Sequence, residues 1–213
     1  QGTITANTLV IAGGVWSTLF ARRNNIRFPQ LPVHSSVFRT SKAPLISESN
    51  IWDKHFALRR RADGGYTIAN GHFVLIDLIP DSFKFVKDFF PVFKLEQKLG
   101  MKLRLGKQFF QSWKMSKNWP LDGKSPFETF RVLNPPAYMP ILNKTLAAVR
   151  EDIPLLRDIK IAETWAGYID ATPDALPVIS HIDGNPGLFF ATGFSGHGFG
   201  IGPGAGKLAT QLI

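Results

Sequence analysis

The chain has 213 residues, a formal net charge of +9 and no cysteine. Apolar residues make up 44% and charged residues 19%, which excludes a disordered chain; the length accommodates one or two domains. The lack of cysteine excludes disulfides, thiolate metal ligands and a cysteine nucleophile, and no apolar run reaches the ~18 residues of a membrane span.

In chain order, Leu9-Val10-Ile11-Ala12 reads as a buried strand entering a turn at Gly13-Gly14, with a helix after it. Pro29 and Pro32 break that pattern. From about Val33 to Ala162 short strands mix with helices. Phe56 to Arg60 and Tyr66 to Ala69 form two strands joined by a tight turn at Asp63-Gly64-Gly65. Phe73 to Ile79 is a third strand, buried on both faces. Pro80-Asp81-Ser82 starts a helix, with Asp81 or Ser82 as its N-cap. Ser125-Pro126-Phe127-Glu128 is a capping box with proline at the first helical position. Leu142 to Asp152 has helical period and stops before Pro154.

Positive charge concentrates in Arg59-Arg60-Arg61 and across residues 84–117, where lysines interleave with Phe83, Phe85, Phe89, Phe90, Phe93, Phe109, Phe110 and Trp113. Phe85, Phe89 and Phe93 recur every four residues, so they share one helix face. That spacing points to core packing, with membrane or partner docking as the alternative; no nucleic-acid partner is expected. A basic balance also suits an enzyme that attracts carboxylates.

The last elements are the most informative. The strand Leu188-Phe189-Phe190-Ala191 runs into Gly193-Phe194-Ser195-Gly196-His197-Gly198, and glycines continue to Gly204 before a helical run from Ala205. Strand, glycine loop and helix together aim backbone N–H groups and a helix N-terminus at something electron-rich. The five histidines match no metal motif, and Asp170 and Asp174 are expected to shape a turn.

The segments LVIAGGVWS and GLFFATGFSGHGFGIGPGAGKLATQL resemble the flavin-binding segments of the D-amino-acid-oxidase-like family of FAD enzymes. RADGGYTIA, SPFETFR and WAGYIDATPDALPVIS resemble its L-amino-acid deaminase branch. The resemblance implies an α/β fold of mixed α+β type. Residues 1–25 and 163–213 would belong to a Rossmann-like FAD-binding domain, and residues 26–162 to a substrate domain with a mainly antiparallel sheet flanked by helices. The family's G-x-G-x-x-G pyrophosphate motif is not found, so the expectation is the C-terminal part of a longer flavoprotein. By resemblance, Gly13, Gly14, Trp16, Ser17, Gly193, Phe194, Ser195, Gly196, His197 and Gly198 face FAD. Trp16 could equally be core, and His197 could instead hold the loop's shape.

Departures from the family sharpen the expectation. Sarcosine oxidase attaches its flavin through a cysteine where this chain has Gly167, so FAD here is expected to be noncovalent. The deaminase arginine that anchors the substrate carboxylate is replaced by Asn70-Gly71-His72. His72 and Tyr66 are the candidate substrate residues, each with a surface or packing role as the alternative. The implied reaction oxidises the C–N bond of an amino or imino acid, a small amine or amino acid being the substrate. The segment resembling the oxygen-activating strand of sarcosine oxidase lacks its lysine, which implies a quinone or another electron carrier as acceptor. Peripheral contact with the inner membrane of a cytoplasmic protein fits the basic aromatic stretch. The alternative is a noncatalytic or partner-dependent subunit of a flavoprotein complex.

Overall fold

The computed structural model describes residues 2–96, 100–115, 119–120 and 122–213. Within the basic stretch 84–117, residues 97–99 and 116–117 lie outside the described residues. The elements are β1 (Leu9–Ile11), α1 (Ser17–Arg23), β2 (Leu31–Thr40), β3 (Ile51–Trp52), β4 (Ala57–Arg60), β5 (Tyr66–Ala69) and β6 (Val74–Asp77). There follow α2 (Pro80–Lys84), α3 (Val86–Glu96), β7 (Met101–Arg104), α4 (Lys107–Lys114), α5 (Pro126–Thr129) and α6 (Met139–Asp152). The chain closes with β8 (Ile161–Ala171), β9 (Val178–His181), β10 (Leu188–Thr192) and α7 (Gly198–Leu212).

Two sheets result. β1 pairs parallel with β10, and β10 pairs antiparallel with β9. The larger sheet runs β3-β4-β5-β2-β6-β7, with β8 along the other edge of β2. It is antiparallel except for the β6–β7 pair. The mixed α+β architecture expected from the sequence is therefore observed. β8 stays in the larger sheet to Ala171, and residue 163 falls inside this strand.

The long β2 explains how the sheet is covered. Its even residues His34, Ser36 and Phe38 are buried, while Val33, Ser35 and Val37 are half-buried, as two-residue alternation requires. α6 covers the even face. Leu142 and Val149 are fully buried there against Phe38, Tyr66 and Ile68. Across β8 the register places Trp165, Gly167 and Ile169 opposite Val37, Ser35 and Val33. This second face is less covered, and Trp165 is 39% exposed.

The Asp63-Gly64-Gly65 hairpin forms as read. Asp63 accepts from Gly65 N–H at 3.0 Å, and Gly64 takes φ +86°, which favours glycine. The capping box also forms: Glu128 accepts from Ser125 N–H at 2.7 Å, and Ser125 Oγ accepts from Glu128 N–H at 3.3 Å. The bond from Ser125 N–H, and then one from the Ser125 hydroxyl at 2.8 Å, hold the Glu128 carboxyl below its ordinary pKa. The start of α2 differs from expectation. Ile79 is the N-cap residue, Pro80 opens the helix, and Ser82 Oγ accepts from Ile79 N–H at 3.1 Å. The proline's fixed φ puts it at the first helical position, so Ser82 works from the third.

The phenylalanine run divides between two roles. Phe85 and Phe89 are buried against Leu31, and Phe93 packs beside them. Phe83, Phe90, Phe110 and Trp113 are more than half exposed. No helix among the described residues is long and apolar enough to cross a membrane.

Candidate functional site

Parallel pairing of β1 with β10 puts the carboxyl ends of both strands on one side, where ligands of open parallel sheets bind. Each end runs into a glycine turn and then a helix. The turns are tied together: the Ser17 and Thr192 hydroxyls lie 2.9 Å apart, and Ser17 is fully buried. Thr18 Oγ1 and Gly14 C=O both bond the buried Gln30 side chain, which locks the first turn onto β2. Gly14 has φ +54°.

Asp170, at the end of β8, clamps the second turn. Its Oδ2 accepts from Gly193 N–H at 2.8 Å and from Phe194 N–H at 3.3 Å. Its backbone C=O accepts from Ser195 N–H at 3.2 Å. Ser195 Oγ in turn accepts from Thr172 N–H at 3.2 Å. The loop passes through φ +76° at Gly193, +50° at Ser195 and +89° at Gly196. At Gly193 a Cβ would stand 2.5 Å from Thr172 Cγ2, so both space and backbone exclude a side chain.

Three of the loop's backbone donors, at Gly193, Phe194 and Ser195, are therefore satisfied internally, as is His197 N–H by Phe194 C=O at 2.8 Å. Among the described residues nothing accepts from the N–H groups of Gly196, Gly198 or Phe199. Gly198 and Phe199 open the 15-residue helix α7, and Gly196 stands just before its N-cap His197; the helix dipole adds positive character at this end. The region can thus cradle an electron-rich group with backbone alone. Gly196 lies against Ile169, on the less covered face of the large sheet. An apolar hollow of about 380 Å³, lined by Val10, Gly13, Trp16, Ser17 and Phe127, adjoins the first turn.

Gly13, Gly14, Trp16 and Ser17 are thus brought to the same end of the small sheet as residues 193–198. Trp16 is half-buried, and His197 is exposed with no side-chain partner among the described residues. Tyr66 and His72 are not brought there. Tyr66 is fully buried in the α6 core; its hydroxyl donates to Pro44 C=O at 2.9 Å and accepts from Ile46 N–H at 3.0 Å. β5 turns its even residues toward α6, and these surroundings match the packing alternative for Tyr66. His72 sits exposed in the turn before β6, its ring 6.1 Å from that of Trp52, away from both glycine turns.

The sequence reading missed Thr192 and Ile169, and it gave Asp170 only a turn-shaping role. Asp174 does cap a local turn, accepting from Leu176 N–H at 3.1 Å. Asp170 instead acts on residues 23 and 24 positions away.

Comparison with known proteins agrees with this geometry. The sequence profile described as "FAD dependent oxidoreductase" (DAO) matches residues 1–212. The chain belongs to this family. Among solved structures, L-amino acid deaminase from Proteus vulgaris is 30% identical with a TM-score of 0.87, covering 96% of this chain and 47% of that one. Glycine oxidase from Geobacillus kaustophilus, at 16% identity and a TM-score of 0.62, shares the fold over 99% of this chain and 42% of its own. Mitochondrial dimethylglycine dehydrogenase from Mus musculus is 26% identical over all 213 residues, which is 21% of its length. The chain therefore spans about half, or less, of these relatives.

Proposed function

We propose that this chain forms the flavin-facing and substrate-facing part of an FAD-dependent enzyme that oxidises the C–N bond of an amino or imino acid. The observation that carries the reading is the α7 N-terminus. The free donors of Gly198 and Phe199, with that of Gly196 just before the helix, stand beside a glycine turn on the neighbouring parallel strand. Bare backbone at these positions fits a flat, electron-rich cofactor, and the printed names of the similar deaminase and oxidase agree with the reading.

In this reading residues 1–25 and 163–213 serve the cofactor, residues 26–162 serve the substrate, and the chain passes between the two within β8. Gly196, His197 and Gly198 would hold the cofactor from one side, with Gly13, Gly14, Trp16 and Ser17 beside them. Gly193, Phe194 and Ser195 act one step back, since Asp170 already holds their N–H groups. Bound there without a covalent link, FAD supplies a two-electron acceptor for the hydride on the amine-bearing carbon. The α7 N-terminus lowers the cost of negative charge gathering near it. The face around Trp165 and Ile169, beside Gly196, would lie against the bound substrate. The resulting imine hydrolyses to an oxo acid and ammonia or an amine.

The full-length protein tests this. It should be yellow, release FAD on acid precipitation, and bleach anaerobically with one or more amino acids. A colourless full-length protein, or one unbleached by every L- and D-amino acid and N-methyl glycine, would remove the reading and favour the noncatalytic alternative.

A finer reading concerns the electron acceptor. The exposed Phe83, Phe90, Phe110 and Trp113 lie among Lys84, Lys87, Lys107 and Lys114 on α2, α3 and α4. Such a surface suits anionic lipid, which attracts each nearby lysine by about 1 kcal/mol, and a membrane quinone as acceptor. Stopped-flow reoxidation discriminates: rapid reoxidation by air, unaccelerated by a quinone analogue, returns the enzyme to the oxidases.

A further inference from the structure

On the other face of β8 lies a second polar centre that the flavin reading does not use. Asp77, at the end of β6, is 2% exposed. It accepts from Arg104 Nε at 2.5 Å, from Arg104 Nη2 at 2.8 Å and from the Tyr168 hydroxyl at 3.0 Å. β6 and β7 are parallel and pair Asp77 with Arg104, so the sheet itself fixes this contact. Asp77 raises the Arg104 pKa further, while burial first and then the Asp77 charge raise that of Tyr168. The centre sets a carboxyl group against a guanidinium and a neutral phenol.

The guanidinium is not used up. Its Nη1 has no partner among the described residues, and the Arg104 side chain is 32% exposed. Arg104 borders a cavity of about 490 Å³. Lys107, Gln108 and Gln111 of α4 border it as well, and Val132 and Leu133 supply an apolar wall. Asp77 and Tyr168 hold the arginine in one orientation, which is how a supporting carboxylate prepares a binding group for its ligand.

We propose that this cavity is a binding site for a small monocarboxylate with an apolar body, anchored on the Nη1–Nη2 edge of Arg104. Three features select that class. The fork of an arginine matches a carboxylate with two parallel bonds. Arg104 and Lys107 against Asp77 leave one positive charge, which balances a monoanion and not a phosphate dianion. The volume suits a small molecule, and the wall suits an apolar body. The site is separate from the glycine loop, because Tyr168 and Ile169 are successive strand residues on opposite faces and Ile169 is the one beside Gly196. A narrow cleft, lined by Trp16, Gln108 and Tyr168, leads toward the β1 turn.

Benzoate titrated into the full-length protein tests the site by calorimetry, with the visible absorbance followed in parallel. Wild type should bind in an event that leaves the flavin spectrum unchanged. Arg104→Gln should weaken that event about tenfold or more, as loss of a charge-assisted bond implies, and Lys107→Gln should weaken it less. Asp77→Asn combined with Arg104→Gln removes the stranded buried charge, so a folding defect is told apart from lost binding. Equal affinity in wild type, Lys107→Gln and the double variant would overturn the site, as would absence of benzoate binding to wild type. Loss of the heat together with a flavin spectral change in Arg104→Gln would overturn its separateness. A protein without flavin would sink the flavin reading alone, since the calorimetric event does not depend on it.

Discussion

Replacing Asp170 by alanine removes the acceptor of two backbone donors at once, and the structure gives the scale. An N–H bond to a charged acceptor contributes about 1.5–3 kcal/mol. The bond to Gly193 is short at 2.8 Å, while that to Phe194 is longer at 3.3 Å. Counting the longer one low, and discounting both because the site is only part-buried, the carboxylate holds the loop by about 2–4 kcal/mol. The readout is local. Native-state hydrogen exchange over the peptide spanning residues 188–197 should speed up roughly 30-fold to 700-fold, at 1.4 kcal/mol per tenfold. Exchange in α6 should change far less, because that helix packs on the core of Phe38, Tyr66 and Ile68. Asp170→Asn should lie between, since its amide oxygen accepts without charge. Full-length Asp170→Ala should also retain less flavin. Unchanged exchange at residues 193 and 194, with the protein folded, would show that the carboxylate does not hold the loop, and the three free donors would then have no fixed positions.

Other substitutions test the same account elsewhere. Gly193→Ala should cost about 2–4 kcal/mol, from the left-handed backbone and the clash with Thr172 together, read as a lower denaturant midpoint; a neutral result would mean the loop relaxes freely. Tyr66→Phe should cost about 1–3 kcal/mol by stranding the Ile46 N–H and Pro44 C=O while leaving kcat and KM unchanged; a changed kcat would restore Tyr66 to the site. His34 is held below its ordinary pKa of 6.5, first by burial, and Nε2–H donates to Pro136 C=O. With its folded pKa depressed, the unfolded chain binds the extra proton first, so stability is full above 6.5 and falls as pH drops below it. His34→Gln should therefore lose less Tm than wild type between about pH 7.5 and 5.5; parallel losses would place the acid-sensitive group elsewhere.

What could be read from the sequence was local. The Gly13-Gly14 and Gly193–Gly198 turns, the Asp63-Gly64-Gly65 hairpin and the Ser125–Glu128 box each follow from residues within a few positions of one another. The α2 start was misplaced because Asp81 and Ser82 both suit an N-cap, whereas Pro80 takes the first helical position and leaves Ile79 as the N-cap. Met101–Arg104 and Lys107–Lys114 carry no cap or hairpin signal, and so β7 and α4 were not distinguished within a basic stretch. Alternation showed that Tyr66 has a buried or an open side but not which, since that depends on where α6 lands. Asp170 was underread for the same reason: its partners lie 23 and 24 residues on, and no periodicity links a strand end to a distant loop.

The pairing of β1 with β10 has a consequence for synthesis. Ser17 and Thr192 are 175 residues apart, which takes a ribosome roughly 9–35 seconds to cover at ordinary elongation rates. Throughout that interval β1 exists without the strand that will lie parallel to it, while the hairpin of β4 and β5 can already form from neighbouring residues. The nascent chain therefore completes its larger sheet, through β8, before β10 closes the smaller one. The glycine loop, which emerges only after β10, is also the one that ties the two strand ends together.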